Sequence, residues 1–198
     1  VRVIAGVARG RTLKAVPGMN TRPTTDKVKE AIFSMIGPYF DGGTALDLFA
    51  GTGGLGIEAW SRGTERVIFI DREKISIDII RQNIQTAGMG GAAEIYRNDA
   101  ERALKALAKR ELKFDLVFLD PPYKLTTMDE LMGELAANGM LEEAAVIVVE
   151  HDQAVRYPEA MERFDQIKYA KYGDTAVSIY RYHSQDSHDD RSDTDVNE

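Results

Sequence analysis

Phe114-Asp115-Leu116-Val117-Phe118-Leu119-Asp120-Pro121-Pro122-Tyr123 is the stretch from which the rest of the chain is read. Leu116 to Leu119 is an unbroken apolar run of strand length, as expected of a parallel strand buried on both faces. Neither proline can donate to a sheet ladder, so the strand stops at Asp120. The tetrapeptide that follows therefore sits on the carboxyl rim of a sheet, where open parallel sheets bind their ligands. A carboxylate, a stiff carbonyl and an aromatic ring are presented together there. The trio suits alkylation of an exocyclic amine on a nucleobase, whose lone pair is delocalised into the ring. Two acceptors aimed at the amine hydrogens, the Asp120 side chain and the Pro121 carbonyl, would orient the nitrogen and favour its pyramidal form. Tyr123 could then stack on the base. An ordinary strand-ending turn would carry the same residues, because Asp-Pro and Pro-Pro punctuate loops.

Upstream of this strand the chain alternates strand and helix. Strands are expected near residues 44–48, 66–70, 93–97, 114–119 and 145–150, with helices near 54–62, 73–87, 99–110 and 126–138. That rhythm predicts an open, doubly wound parallel sheet. After Glu150 it breaks, and 164–171 and 175–182 read as an antiparallel pair at the sheet edge, joined around Gly173-Asp174.

The first strand delivers Asp47-Leu48-Phe49-Ala50-Gly51-Thr52-Gly53-Gly54-Leu55-Gly56, in which Gly51, Gly53 and Gly56 satisfy G-x-G-x-x-G between a strand and a helix. Asp71 ends the next strand, where a carboxylate can bind ribose hydroxyls, and Arg72 follows it. An adenosine-type cofactor is expected. Asp47 would repel a pyrophosphate and favour a cationic ligand, which points to S-adenosylmethionine, with its sulfonium and ammonium, over a dinucleotide. Asn98-Asp99-Ala100 ends the third strand; Asp99 can accept from an adenine amine or simply cap the next helix, and the cap is the simpler role.

The amino terminus reads as a small β-hairpin, with arms at 1–5 and 12–16 and a turn Gly6-Val7-Ala8-Arg9-Gly10-Arg11. Glycine lets a backbone approach phosphate closely and arginine offers a bidentate fork. Arg22-Pro23-Thr24-Thr25-Asp26 precedes a helical stripe of Val28, Ile32, Met35 and Ile36 that ends at Gly37-Pro38, with Thr24 or Thr25 as N-cap.

The 198-residue chain suits one domain, and its lack of cysteine excludes disulfides, zinc-thiolate sites and thiolate nucleophiles. With no apolar run of membrane length and no secretory leader, a cytoplasmic protein without membrane association is expected. The net charge of −7 is unevenly spread: residues 1–30 carry a net +5 and residues 183–198 a net −5. The basic end is the footprint a polyanion would want, although chance clustering on a solvated surface would look the same. The acidic end reads as a disordered tail.

Asp47-Leu-Phe-Ala-Gly-Thr-Gly, Asp71, Asp99-Ala100 and Asp120-Pro-Pro-Tyr123, in this order, resemble the class I S-adenosylmethionine-dependent methyltransferases that act on exocyclic amines. Gly6-Val-Ala-Arg-Gly-Arg11 and Arg22-Pro-Thr-Thr-Asp-Lys-Val-Lys-Glu-Ala-Ile-Phe33 narrow the resemblance to the bacterial RsmD-type enzymes, which methylate the N2 amine of a guanine in small-subunit (16S) ribosomal RNA. The resemblance implies a Rossmann-like α/β fold with a mostly parallel seven-stranded sheet whose last strand is antiparallel, plus the amino-terminal hairpin and helix. It implies that Asp47, Phe49, Ala50, Gly51, Thr52 and Gly53 line the methionine half of the cofactor, that Asp71 and Arg72 lie at the ribose, and that Asp99 and Ala100 meet adenine. Asp120, Pro121, Pro122 and Tyr123 would hold the guanine. Arg9, Arg11 and Arg22 would meet RNA phosphates, with Pro23 and Thr24 beside them. The expected organisation is an RNA-contacting extension at 1–40, a methyltransferase domain at 41–182 and a tail at 183–198, acting as a monomer on ribosomal RNA within a small-subunit assembly particle. A DNA or RNA amine methyltransferase for adenine or cytosine would share Asp-Pro-Pro-Tyr, but DNA enzymes usually need a recognition domain for which this chain has no spare residues. A non-catalytic RNA-binding assembly factor or an NAD-dependent dehydrogenase leaves Asp-Pro-Pro-Tyr without a role.

Overall fold

The computed structural model describes residues 1–18, 25–122 and 128–184. The alternation read above becomes β1 (Thr44–Asp47), α2 (Gly54–Ser61), β2 (Arg66–Asp71), α3 (Lys74–Ala87), β3 (Ala93–Arg97), α4 (Ala100–Ala108), β4 (Phe114–Leu119), α5 (Met128–Ala137) and β5 (Leu141–Asp152), preceded by α1 (Asp26–Ile36) and followed by β6 (Ala160–Met161), β7 (Phe164–Tyr172) and β8 (Thr175–Tyr182). One sheet holds all eight strands in the order β3-β2-β1-β4-β5-β8-β7-β6. β3, β2, β1, β4 and β5 are parallel to their neighbours, and the last three strands add antiparallel.

The expected antiparallel pair stands at that end of the sheet, with β8 inserted between β5 and β7 and antiparallel to both. One detail departs from expectation. The sheet has an eighth strand, the two-residue β6 on the outer side of β7, too short to leave an alternating pattern in sequence.

The amino-terminal hairpin is also less regular than expected. Its arms meet in a single antiparallel bridge, Arg2 with Thr12. Arg9 N–H donates to Gly6 O and Arg11 N–H to Ala8 O, so the segment between is a run of turns instead of strand. Other hydrogen bonds of the arms go to helices: Ile4 and Ala5 N–H donate to the Glu58 carboxylate, and Lys14 N–H to Asn83 Oδ1. Gly6 lies so close to α2 that a Cβ there would fall 1.8 Å from Ser61 O. This glycine therefore serves packing against Ser61, not approach to a phosphate.

Side-chain alternation along the strands splits the core into two layers. Leu46, Val117, Leu119, Ile147 and Val149 face α4 and α5, packing with Leu104, Leu107, Leu131 and Leu135. Ala45, Val67, Phe69, Leu116, Phe118 and Val148 face α1, α2 and α3, packing with Ile32, Phe33, Ile57, Ile80 and Ile84. Between α1 and α2 lies a buried ionic node. Glu58, with no exposed surface, is 2.9 Å from Arg62 Nε and 3.4 Å from Lys29 Nζ while its oxygens also accept the two amino-terminal N–H groups. Burial lowers the Lys29 pKa, and the adjacent Glu58 opposes that shift.

Candidate active site

Strand order reverses between β1 and β4, and the crevice beyond their carboxyl ends is where doubly wound sheets bind ligands. Asp47 ends β1 and Asp71 ends β2. Asp120 follows β4 directly, and Glu150 stands near the end of β5. Parity along each strand gives these four acids the same face as Ala45, Phe69, Phe118 and Val148, the face covered by α1 to α3. The register Asp47↔Phe118 and Leu119↔Val149 sets Asp120 just above Asp47 and brings Glu150 level with Asp120 one step past the last pair.

Asp47 is 1% exposed. Its Oδ2 accepts from Gly56 N–H at 3.1 Å, tying β1 to the first turn of α2. Burial is the main reason its pKa is pushed up to about 8; Asp71 and Glu150 push the same way, and the Gly56 bond only partly opposes them. A group so placed takes a cation well. The glycine loop runs over it: Leu48 N–H donates to Phe118 O, and Ala50 N–H to Ile70 O. A Cβ on Gly51 would meet nothing within 4 Å, so open space lies over the loop. Gly56 is the opposite case, since a Cβ there would come 2.5 Å from the Phe69 ring, and only glycine lets α2 pack this closely on β2. Phe49 is half-buried against the α4–α5 layer, and Thr52 caps the turn by accepting from Gly54 N–H at 3.1 Å.

Asp71 braces this loop. Its Oδ2 accepts from Gly51 N–H at 2.9 Å and its Oδ1 from Glu73 N–H at 2.9 Å. An ionised carboxylate has about four acceptor positions, so roughly two remain for ligand hydroxyls. Arg72 is exposed and pairs with Glu73 at 3.3 Å, while its carbonyl accepts from Arg97. Asp99 is the N-cap of α4, accepting from Arg102 N–H at 2.9 Å, so the capping role holds; Ala100 opens the helix, half-buried.

Asp120 is half-buried, with Glu150 close enough to act on it, while Pro121 is half-buried and Pro122 exposed. Burial first, then Glu150, then Asp47 hold the Asp120 carboxyl well above the usual range. Tyr123 lies outside the described residues, as do Arg22, Pro23 and Thr24. Arg9 and Arg11 are both exposed. The turn carrying Arg9 docks on Ser61 at the far end of α2, whereas Val1 lies beside Gly54 at its start. Arg9 is thus about 12 Å, one eight-residue helix, below the rim that bears Asp120. Beside it an open cleft of about 580 Å³ is lined by Gly6, Arg9, Glu30, Ser34 and Tyr39 among others, with Tyr39 65% exposed.

Sequence reading did not single out Glu150, Asn83 or Glu58. Glu150 is the lone acid closing the apolar run Val146-Ile147-Val148-Val149, which is a legible signal once burial on both faces is assumed. Asn83 donates from Nδ2 to Thr52 O at 2.8 Å and to Lys14 O at 3.0 Å, stapling the glycine loop to the amino-terminal segment. Its place on the buried stripe of α3 was the only clue.

The donor set fits S-adenosylmethionine better than a dinucleotide. A buried acid with no cation beside it among the described residues lies under the glycine loop, where a pyrophosphate would be repelled, and a half-buried carboxylate ends the adjacent strand. Among the described residues no group of acids and histidines could hold a metal ion, and no helix is long and apolar enough to cross a membrane.

Comparison with known proteins agrees in coverage as well as in fold. The chain is 54% identical over 181 residues to the "Putative rRNA methyltransferase YlbH" of Bacillus subtilis, an alignment covering 91% of this chain and 98% of that one. It is 36% identical over 154 residues to "Ribosomal RNA small subunit methyltransferase D" of Haemophilus influenzae, covering 77% and 79% of the two chains. Among solved structures, "Putative methyltransferase yhhF from Escherichia coli" superposes with a TM-score of 0.81 at 30% identity, over 93% of this chain and 99% of that one. The family model described as "Conserved hypothetical protein 95" matches residues 1–181, and the chain belongs to that family, the RsmD family its motifs resemble.

Proposed function

We propose that this protein transfers a methyl group from S-adenosylmethionine to the exocyclic N2 amine of a guanine in small-subunit ribosomal RNA. The observation that carries the reading is the placement of Asp120 and Pro121 on the same rim, and Asp120 on the same face, as Asp47 and the glycine loop, so that an amine-orienting acceptor stands next to a cradle suited to a cationic nucleoside. The relatives' names support ribosomal RNA as the substrate, and the amino-terminal motifs support guanine N2 over adenine or cytosine.

When bound, the cofactor supplies an electrophilic methyl group on a sulfonium. Asp47 stabilises its cationic end, Phe49 to Gly53 wrap the methionine half, and Asp71 accepts from ribose hydroxyls through the positions that Gly51 and Glu73 leave free. Arg72 borders the ribose, while Asp99 and Ala100 meet adenine. The Asp120 carboxylate and the Pro121 carbonyl accept the two amine hydrogens, which draws the nitrogen lone pair out of conjugation; Pro122 stiffens the turn and Tyr123 stacks on the base. Arg9, Arg11, Arg22, Pro23 and Thr24 contact RNA. Because Arg9 lies at the opposite end of α2 from Asp120, the RNA it meets is a segment away from the target nucleotide, with Tyr39 and the adjoining cleft at hand for an unstacked base. Residues 1–40 are then an extension of the 41–182 domain, and 183–198 take no part in the chemistry. The enzyme works as a cytoplasmic monomer on a small-subunit assembly particle.

Mapping methylated nucleotides in ribosomal RNA from cells with and without the gene tests the proposal. Loss of one N2-methylguanine in the small-subunit RNA is expected; an unchanged small-subunit pattern would overturn it.

A further inference from the structure

We infer that the cleft between the amino-terminal turn and α1 is a second nucleobase site, which takes an unstacked guanine from the RNA segment remote from the target nucleotide; the inference rests on the ribosomal RNA reading above. Two stretches of chain wall the cleft. Gly6 and Arg9 stand on one side, Glu30, Ser34 and Tyr39 on the other, with Arg62 between them. One helical turn separates Glu30 from Ser34, which puts both on the same face of α1, and Tyr39 follows just past the C-cap Gly37. The volume of about 580 Å³ lies in the range of small-ligand sites and accommodates a nucleoside.

Arg62 distinguishes this cleft from a hollow on a solvated surface. It is 6% exposed, and its head is fixed: Nε donates to Glu58 at 2.9 Å and Nη1 to Pro38 O at 3.3 Å, while the guanidinium lies 5.0 Å from the Phe33 ring centroid. A guanidinium has more N–H donors than those two bonds use, so a buried donor set lines the cleft. Glu30 supplies the opposite chemistry. Its exposed carboxylate can only accept, and among the described residues no ion pair holds it. A base held between the two must offer acceptors to Arg62 and a pair of donors to Glu30. Guanine does so, since O6 and N7 accept on one edge and N1–H and N2–H donate on the next. Adenine puts its amine beside N7, where Arg62 needs an acceptor, and uracil has a single N–H; each leaves a polar group of the cleft unpaired. Tyr39, 65% exposed, gives the base a face to stack on. Arg9 is exposed at the same cleft for the adjoining phosphate, and the net +5 of residues 1–30 suits a polyanion.

The test uses the full chain and short single-stranded RNAs with one guanine among uridines, matched to RNAs with adenine, inosine or 7-deazaguanine in its place. Ultraviolet cross-linking read by mass spectrometry should join the guanine RNA to Tyr39 or Arg9; cross-links confined to the Asp120 rim would overturn the inference. The guanine RNA should bind about tenfold or more tightly than the adenine RNA, and inosine, without the N2 amine, and 7-deazaguanine, without N7, should each forfeit part of that gain. Glu30→Ala should lower the preference for guanine about tenfold. Tyr39→Ala should weaken every RNA by about fivefold to a hundredfold, with Tyr39→Phe close to wild type. Both side chains are exposed, so the variants keep the fold. Guanosine monophosphate, which lacks the flanking phosphates, should compete poorly; competition on a par with RNA would make this a free-nucleotide site and overturn its assignment to RNA. In methylation of small-subunit ribosomal RNA, Glu30→Ala and Tyr39→Ala should raise KM for RNA at an unchanged kcat, as binding remote from the chemistry does. An unaltered KM for RNA together with an undiminished guanine preference would overturn the inference and leave methyl transfer standing. Guanine RNA cross-linked in the cleft of a protein that transfers no methyl group to guanine N2 would refute the proposed function and leave the cleft site standing.

Discussion

Asp47→Asn should remove most of a pH-dependent destabilisation that this one residue builds into the ligand-free fold. The native carboxyl titrates at about 8 and the unfolded one near the model-peptide value of 3.8. Between those values the folded state binds a proton that the unfolded state has released, so stability falls as pH rises, by about 1.4 kcal/mol per unit, and levels off above the folded pKa. Four units give about 5 kcal/mol at most. Asn has nearly the same shape and its amide oxygen can still accept from Gly56 N–H. The variant should therefore match wild type near pH 4 and exceed it by several kcal/mol near pH 8. Asp120 adds to the effect in the same direction, since the Asp47 charge raises its pKa too. Urea unfolding from about pH 5 to about pH 8 measures the difference directly. S-adenosylmethionine should reverse the ranking: its cation favours ionised Asp47, so binding to wild type releases a proton and tightens with pH, while the variant binds weakly at every pH. Wild-type and variant stability curves that run parallel across this window would refute the account of Asp47.

Asp71→Ala should weaken S-adenosylmethionine binding by about 1–3 kcal/mol in calorimetry and also lower stability, because Gly51 N–H loses its acceptor; unchanged affinity would remove Asp71 from the site. Glu58→Ala should cost about 3–5 kcal/mol in urea unfolding, since Lys29 and Arg62 would be left as buried cations and two amino-terminal N–H groups would lose their acceptor. Reversing Arg9 and Arg11 to Glu should weaken RNA binding and flatten its salt dependence by roughly one unit of slope per lost phosphate contact, with cofactor affinity unaffected; a wild-type slope would mean that the turn is not an RNA contact.

What sequence could and could not reveal follows from the range of the forces involved. The βαβ rhythm was legible because each parallel strand is a continuous apolar run bounded by turn residues, and β4 with its two prolines marked the rim without ambiguity. β5 proved longer than its 145–150 pattern because Leu141 to Ala144 join the sheet through a register shift, with Ala144 at φ 64, and Glu142-Glu143 hide that pairing from any alternation rule. The hairpin was over-read: local glycine and strand propensities suggested a ladder, but the backbone groups of Ile4, Ala5 and Lys14 found Glu58 and Asn83, residues more than fifty positions away. The same holds for the site. Asp47, Asp71 and Asp120 sit at strand ends that punctuation makes visible, whereas the link from Glu150 to Asp120 depends on which strands are neighbours and in what register, which no local signal carries.

Methyl transfer by Asp120→Ala tests the central claim most directly. If Asp120 acts on the amine chiefly as the lone pair leaves conjugation, the loss belongs to the transition state and not to binding. Single-turnover transfer to small-subunit ribosomal RNA at saturating cofactor should fall by about a hundredfold to a thousandfold, with S-adenosylmethionine and RNA affinities close to wild type. Near-normal single-turnover rates in Asp120→Ala would contradict the account, and β4 would then end in nothing more than a proline-stopped turn.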